Sequence, residues 1–277
     1  MSLMSLSFWK RYSFLRRWIL LLVIFLFLLQ FLRIKFLIGG LSGSLFLSWV
    51  KILDPFAFLE SLVASKTFTI DALWATIPVI LVYLIFGRAF CGWVCPMDLL
   101  FSWVNRLKRP FEVKFAEKIP SKVGFIIAGL LLLLSFLIEI PIFSNYLSHL
   151  TNFFRSLTAL VFLIADLPVD LSLFAYSVMS LIILLILEFC FPRLWCRVLC
   201  PVGKIYGLFN KVSLLHLRYK DGECLQCASC DKVCYMKVKI SQNIERRKLR
   251  SQDCIFCGNC VETCEGKAHL IKFKLGV

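Results

Sequence analysis

The sequence predicts an α-helical integral membrane protein with a small α+β domain at its C-terminal end. Hydrophobic residues make up 60% of the 277 residues, with 27 phenylalanines and a mean hydropathy of +0.82. A soluble globule of this size cannot bury so much apolar surface. The apolar residues fall in long stretches, whereas eight of the thirteen cysteines lie in the last 54 residues. We therefore expect a helical membrane part and a distinct cysteine-rich part.

Four apolar stretches are long enough to cross a bilayer as helices. A transmembrane helix needs about 20 residues to span a hydrocarbon layer of about 30 Å. The predicted spans cover residues 18–38, 68–86, 124–143 and 171–191. These limits predict a membrane domain over residues 1–212 and a second domain over residues 213–277.

The distribution of lysine and arginine predicts the orientation of these spans. Basic residues are concentrated before the first span, between the second and third, and after the fourth. Because such residues favour the cytoplasmic side, we expect a multi-pass protein of the bacterial inner membrane with both termini in the cytoplasm. Topology and contact with lipid headgroups then explain the net charge of +15, and nucleic acid is not an expected partner.

The membrane segment contains an internal repeat. Span two ends in Phe-Gly-Arg-Ala-Phe-Cys-Gly-Trp-Val-Cys-Pro, and span four ends in Phe-Pro-Arg-Leu-Trp-Cys-Arg-Val-Leu-Cys-Pro. The offset between Cys91 and Cys196 is 105 residues, and Asn105 and Asn210 keep the same offset. The four spans are therefore predicted to form two pseudo-repeats of parallel topology, each with a far-side loop and a Cys-x3-Cys-Pro motif.

The two motifs place Cys91, Cys95, Cys196 and Cys200 at the cytoplasmic ends of spans two and four. If each pair lies on a helix, its thiols face the same way one turn apart, and the proline can begin the next helix. Pseudo-symmetry would then bring four thiolates together. A third iron–sulfur cluster, another metal centre, or thiols that contact a partner's cofactor would each use such a redox or metal site. Cysteines that only pack the repeat interface are the other interpretation.

Two carboxylates near the far side of the spans, Asp71 and Glu139, are candidate proton acceptors. Ionisable groups at membrane depth often mark proton paths. A carboxylate near the end of a span can instead lie among lipid headgroups, so both interpretations stay open.

The eight C-terminal cysteines form two runs with the same spacing, Cys-x2-Cys-x2-Cys-x3-Cys. This spacing is typical of a ferredoxin-like domain with two [4Fe-4S] clusters, in which the fourth cysteine of each run binds the other cluster. A zinc ribbon would need two Cys-x2-Cys pairs, and a disulfide framework is typical of small secreted domains. The predicted ligands of one cluster are Cys224, Cys227, Cys230 and Cys264. Those of the other are Cys254, Cys257, Cys260 and Cys234.

The two runs depart from the usual pattern at one position. The residue after each fourth cysteine is commonly proline in bacterial ferredoxins, and here it is Tyr235 or Glu265. We expect ligation to survive this change, while shielding of the clusters and their reduction potentials would differ.

Four spans, two Cys-x3-Cys-Pro repeats and a two-cluster C-terminal domain together resemble the family of membrane iron–sulfur proteins that includes NapH, MauN and NosR-type proteins. The most specific segments are Arg-Ala-Phe-Cys-Gly-Trp-Val-Cys-Pro and Trp-Cys-Arg-Val-Leu-Cys-Pro-Val-Gly. The resemblance implies a quinol dehydrogenase subunit that takes electrons from the membrane quinol pool. It also implies a periplasmic ferredoxin-type partner like NapG, followed by a terminal reductase such as nitrate reductase.

Two other functions stay open from the sequence. The chain could be a maturation factor that reduces a metal for assembly, or a membrane anchor for a soluble partner, in a respiratory system of the nitrous oxide reductase type. Quinol-dependent reduction of the clusters would separate a quinol dehydrogenase from both.

Overall fold

The computed structural model describes residues 11–32, 37–40, 43–46, 50–105, 119–220, 224–246, 248–265 and 270–276. The basic segment 106–118, on which the predicted orientation partly depends, lies outside the described residues.

The chain divides into two compact units. Unit 1 consists of Met1–Leu22, Leu81–Asp98 and Val202–Val277, and unit 2 consists of Val23–Ile80 and Leu99–Pro201. Unit 1 contains residues from both sides of the predicted boundary between residues 212 and 213, whereas unit 2 lies entirely before it, and the two-domain division stays a prediction.

Most of the chain before the C-terminal segment is helical. The helices are α1 (Arg11–Leu28), α2 (Pro55–Ser65), α3 (Ile70–Phe86), α4 (Ala89–Trp93), α5 (Pro96–Val104), α6 (Val123–Ile138), α7 (His149–Ile164), α8 (Leu171–Cys190) and α9 (Pro201–Phe209). Between α1 and α2, three short strands form an antiparallel sheet in chain order: β1 (Leu37–Gly40), β2 (Gly43–Phe46) and β3 (Val50–Leu53). The sequence does not predict this sheet, because short apolar strands beside a long apolar stretch have no distinct periodicity.

The two sequence repeats have the same order of α-helices. In the first, α1, α2 and α3 are followed by the one-turn helix α4 and by α5, which begins on Pro96. In the second, α6, α7 and α8 are followed by a π-helical turn at Trp195–Leu199 and by α9, which begins on Pro201. Each repeat therefore has a helix, α2 or α7, where the sequence predicts a loop.

The prediction of four full-length spans is not confirmed, because only two helices among the described residues are candidate spans. Tyr12–Phe31 and Leu171–Cys190 are each 20 residues long and apolar enough to cross a membrane. The second and third predicted spans form the shorter helices α3 and α6, of 17 and 16 residues. Helix α6 ends at Ile138 because Glu139 adopts a left-handed conformation, with φ of 60°, and is soon followed by Pro141.

The apolar helices expose much of their side-chain surface. Trp74 on α3 is 68% exposed, Leu137 on α6 is 67% exposed, and Ile183 on α8 is 61% exposed. Apolar surface of this extent marks a region that meets lipid or another protein.

The C-terminal segment has the predicted α+β character. Strand β4 (Leu215–Tyr219) lies between β5 (Lys248–Leu249) and β6 (Ile271–Leu275) in an antiparallel sheet. Helices α10 (Ser229–Lys232) and α11 (Asn259–Glu265) contact each other. The segment thus combines a small sheet with two short helices, both of which carry cysteines.

Candidate functional site

Two cavities in the C-terminal part of unit 1 are each lined by four cysteines. The first cavity is lined by Cys224, Cys227, Cys230 and Cys264. The second cavity is lined by Cys234, Cys254, Cys257 and Cys260. Each set takes three cysteines from one run and the fourth from the other, which is the crossed grouping expected of a two-cluster domain.

Four thiols line each cavity. A [4Fe-4S] cluster takes one thiolate on each of four irons. Each set of four cysteines therefore matches the ligand requirement of one such cluster.

The two cysteine runs share one backbone conformation. In the first run, Gln226 and Ala228 have φ values of 46° and 49°; in the second, the equivalent Phe256 and Gly258 have φ values of 51° and 86°. Alternation of left-handed residues with ordinary ones creates concave backbone that turns N–H groups toward an anion, as in many iron–sulfur sites. The runs are therefore shaped to surround a negatively charged group.

The two cavities differ in exposure. At the first, Cys227 is exposed and the neighbouring Leu225 is 64% exposed. At the second, Cys260 is buried, and Ile255 and Phe256 are almost fully buried. The first cavity is thus close to solvent, whereas the second is an interior site.

Burial raises the pKa of several of the cavity thiols. It raises the pKa of Cys230 to about 11, and the carboxylate of Asp231 adds to this effect. Burial also raises the pKa of Cys254 and of Cys260. Because iron binds thiolates, cluster assembly must displace protons from these residues.

Asn210 fixes the loop that begins the second cysteine run. Its side-chain amide donates hydrogen bonds of 2.7 Å to the main-chain oxygens of both Ser251 and Cys254. Its side-chain oxygen accepts a 2.7 Å hydrogen bond from the main-chain N–H of Arg88. Since Asn210 is completely buried, all three bonds form away from water, where an unmade bond would be costly.

A cationic pair lies beside the same loop. Lys204 Nζ donates a 2.7 Å hydrogen bond to Asp253 Oδ1, and Arg88 Nη1 lies 3.7 Å from that oxygen. Both cations are nearly inaccessible to water, at 2% and 1% exposed. Buried charges need partners, so Asp253 is held in place next to Cys254.

The residues equivalent to Arg88 and Asn210 are Arg193 of the second repeat and Asn105 of the first; both lie in unit 2 and bind a carboxylate of the membrane segment. The main-chain N–H of Arg193 donates to Glu188 Oε2 at 2.9 Å, and the side chain of Asn105 donates to Glu188 Oε1 at 3.0 Å. The guanidinium of Arg193 also lies over the ring of Phe101, 5.5 Å from its centre. Arg88 and Arg193 therefore occupy equivalent positions in the two repeats but have different carboxylate partners, Asp253 and Glu188.

The two Cys-x3-Cys pairs have similar local settings. Cys91 lies in α4 and Cys95 immediately before α5, both in unit 1; Cys196 lies in the π-helical turn and Cys200 immediately before α9, both in unit 2. All four are half-buried. Neither pair lies within one continuous helix, because α4 ends at Trp93 and the π-helical turn ends at Leu199.

Neither predicted proton acceptor is buried. Asp71 is exposed in the first turn of α3. Glu139 is exposed at the end of α6 and forms a 2.5 Å ion pair with Lys66. Among the described residues, neither carboxylate lines a large cavity.

Sequence reasoning missed a buried carboxylate, Glu60 on α2. Glu60 is 0% exposed and accepts hydrogen bonds from the hydroxyls of Ser135 (2.9 Å) and Ser144 (2.5 Å). It also accepts from the main-chain N–H groups of Phe143 (2.6 Å) and Ser144 (2.9 Å). The available signal was a single charge within an otherwise apolar helical segment.

Unit 2 also contains a large and mainly apolar cavity of about 1180 Å³. Its walls include the ring of Phe154, the side chain of Arg155 and the polar residues Gln30, Asn145 and Ser144. Ser144 hydrogen-bonds Glu60, so the buried carboxylate is one side chain removed from the cavity. Mostly apolar walls with a few polar groups are typical of small-molecule sites.

Two protein families match the chain. A family described as a 4Fe-4S binding domain matches residues 71–114 and again residues 172–220, once in each repeat. A family described as a 4Fe-4S dicluster domain matches residues 216–265, which contain both cysteine runs.

Several curated proteins are similar over most of the chain. The ferredoxin-type protein NapH of Haemophilus influenzae is 28% identical over 273 residues, covering 93% of this chain and 88% of the relative. NapH of Escherichia coli is 28% identical over 232 residues, covering 82% and 76%. The methylamine utilization ferredoxin-type protein MauN of Methylobacillus flagellatus is 29% identical over 228 residues, covering 81% and 76%. No solved structure matches the chain.

Proposed function

We propose that this chain, like the similar proteins NapH and MauN, is a ferredoxin-type iron–sulfur electron-transfer protein, and that it oxidises a membrane quinol and passes the electrons on. The proposed acceptor is a periplasmic ferredoxin-type protein that feeds a terminal reductase. The observation that carries the proposal is the pair of cysteine cavities, since they provide two adjacent electron carriers in one unit.

We propose that each cavity holds one [4Fe-4S] cluster, with the four lining cysteines as ligands. The complete sets of four thiols and the concave backbone of both runs support this assignment. A bound cluster supplies one-electron chemistry. The protein residues fix its position, exclude water from the second cavity and leave the first near the surface.

The proposed location is the inner membrane, with four crossings and both termini in the cytoplasm. The exposed apolar surfaces of α3, α6 and α8 support contact with lipid. A helix of 16 or 17 residues is about 25 Å long, which is shorter than a hydrocarbon layer of about 30 Å. Local thinning of the bilayer would accommodate that difference at modest cost.

We propose that quinol binds in the large apolar cavity of unit 2. The apolar walls suit a quinone ring, and Arg155, Asn145 and Gln30 supply polar groups for its oxygens. Each oxidation releases two electrons and two protons. Glu60, which is linked to the cavity through Ser144, is better placed to receive a proton than the exposed Asp71 and Glu139.

The role of the Cys-x3-Cys-Pro motifs stays a proposal drawn from the repeat. We propose that Cys91, Cys95, Cys196 and Cys200 form a third redox or metal centre. Their matching positions just before a proline-initiated helix in both repeats support a common role.

The experiment is anaerobic purification in detergent, followed by iron analysis and reduction with duroquinol. We expect about eight irons and eight sulfides per chain, and the appearance of reduced-cluster electron paramagnetic resonance (EPR) signals on addition of quinol. About four irons would contradict the two-cluster assignment. Fully loaded clusters that quinol does not reduce would instead favour a maturation factor or a membrane anchor.

A further inference from the structure

The loop of the second cysteine run lies directly against the first Cys-x3-Cys segment within unit 1. Trp93 donates its indole N–H to the main-chain oxygen of Phe256 at 2.8 Å. A Cβ added at Gly92 would lie only 2.5 Å from the main-chain oxygen of Ile255. Only glycine permits so close an approach of the two backbones.

Helix α9 approaches the same loop in the same way. A Cβ added at Gly207 would lie 2.4 Å from the main-chain oxygen of Gln252. Arg88 donates to that oxygen at 3.2 Å, and a Cβ at Gly203 would lie 2.6 Å from the Arg88 guanidinium. The loop therefore packs closely against α9 and the Cys91–Cys95 segment, in addition to its covalent connection to the rest of the chain.

This docking distinguishes the two cavities. Gly92 is bonded to Cys91, and Ile255 is bonded to Cys254, which lines the second cavity. Cys91 and Cys254 are therefore linked through one close backbone contact, which lies between the residues that follow them in the chain. The first cavity lies near the surface, with the exposed Cys227 among its ligands.

We infer that the second cavity is the inner electron-transfer site, docked on the Cys91–Cys95 segment, while the first is the outer site that receives electrons from it. The inference rests on the proposed quinol oxidation, which supplies the electrons. Two successive one-electron transfers across the Gly92–Ile255 contact account for the two electrons of one quinol, and its two protons leave separately. Trp93 and Gly92 act as positioning residues.

The kinetic test compares Gly92→Ala with Gly129→Ala in the detergent-purified full chain. A Cβ at Gly92 must push the backbones apart, whereas a Cβ at Gly129 meets no atom within 4 Å. Oxidised protein is mixed with duroquinol, and each cluster is followed by rapid-freeze EPR. We expect inner-cluster reduction to slow severalfold in Gly92→Ala, because the added Cβ pushes the two backbones apart and electron transfer weakens with distance. Gly129→Ala should match the wild type.

Trp93→Phe provides a milder variant, because it removes the indole donor and keeps an aromatic ring. We expect slower inner-cluster reduction with unchanged iron content. Wild-type rates in both fully loaded variants would overturn the inference. If Gly92→Ala loses iron, the rate in Trp93→Phe decides the matter.

A redox titration with dithionite and mediators tests the docking without quinol. Loss of the buried cation in Lys204→Gln should lower the midpoint potential of the inner cluster alone, because reduction adds negative charge beside it. An unchanged potential, or an equal shift of both clusters, would overturn the inference. If duroquinol does not reduce the wild type but this selective shift is found, the quinol proposal fails and the inner-site assignment stands.

Discussion

Asn210 accepts a 2.7 Å hydrogen bond from the main-chain N–H of Arg88, which is 122 positions earlier in the sequence. The bond joins a residue of the second repeat to the end of the third helix of the first. Because Asn210 also donates to Ser251 and Cys254, it connects both repeats to the cysteine-rich segment within unit 1.

Asn210→Ala should therefore destabilise the protein strongly. The substitution removes three buried hydrogen bonds and leaves their partners unsatisfied, which should cost about 3 kcal/mol in the free energy of unfolding. The measurement is the temperature at which the cluster absorbance bleaches. Asn243→Ala, which removes one exposed hydrogen bond to Lys239, is the matched control and should change stability by less than about 0.5 kcal/mol.

The crossed cysteine sets predict which substitutions affect the same cluster. Cys227→Ser and Cys264→Ser should alter one EPR signal, and Cys257→Ser and Cys234→Ser should alter the other. Cys190→Ser, in α8, should leave both signals unchanged. If Cys264→Ser and Cys257→Ser changed the same signal, the crossed grouping would be wrong.

The proposed third centre predicts non-additive effects at the Cys-x3-Cys motifs. Cys91→Ser and Cys196→Ser should each abolish quinol-dependent reduction of the clusters while leaving their iron content intact. The double variant should be no worse than either single variant, because residues that act as a unit are not additive. Normal turnover in both single variants, at normal protein levels in the membrane, would leave only a packing role.

Glu60 and Glu139 should respond differently to the same substitution. Glu60→Gln places an amide donor against main-chain N–H groups that already donate there, and we expect a loss of about 3 kcal/mol in the free energy of unfolding. Glu139→Gln removes only an exposed ion pair with Lys66 and should have little effect. Thermal unfolding in detergent measures both. Similar midpoints for the two variants would show that the hydrogen bonds of Glu60 do not stabilise unit 2.

His216 should make stability depend on pH. Burial lowers the pKa of His216 below its ordinary value of 6.5; its contact with the main-chain oxygen of Leu214 opposes this shift, and the charges of Arg250, Lys248 and Lys274 reinforce it. A lowered folded-state pKa means that the stabilisation is complete above pH 6.5 and is lost as pH falls through the folded-state value. The thermal midpoint of the wild type should therefore decrease below pH 6.5. His216→Asn should flatten that decrease, and an unchanged slope would assign the effect to other groups.

The cysteine cavities were predictable because their information is local. Spacing within each run fixes which thiols can surround one cluster, and the crossing follows from the position of Cys234 and Cys264. The repeat was equally visible as a constant offset. It also placed Asn105 and Asn210 in equivalent positions, although the sequence does not show that they bind different partners.

The features that escaped prediction depend on contacts between distant residues. Glu60 is buried because Ser135 and Ser144, 75 and 84 positions away, complete its hydrogen bonds. Helix α6 stops early because Glu139 turns left-handed, and hydropathy does not report backbone conformation. The left-handed conformation of Ala228 likewise could not be predicted from its residue type. At the equivalent position of the second run, Gly258 is a residue that favours this conformation.

Helix α1 also contributes to the cluster-bearing segment at the opposite end of the chain. The ring of Tyr12 lies 5.3 Å from that of Phe273, and the main-chain N–H of Ser13 donates to Glu262 at 2.8 Å. A Cβ at Gly258 would lie 2.7 Å from Tyr12. Because Phe273 lines the second cavity, that cavity can close only after synthesis has reached strand β6. Iron loading of the inner site would then follow synthesis of β6, and a chain that stalled before this strand could not retain a shielded inner cluster.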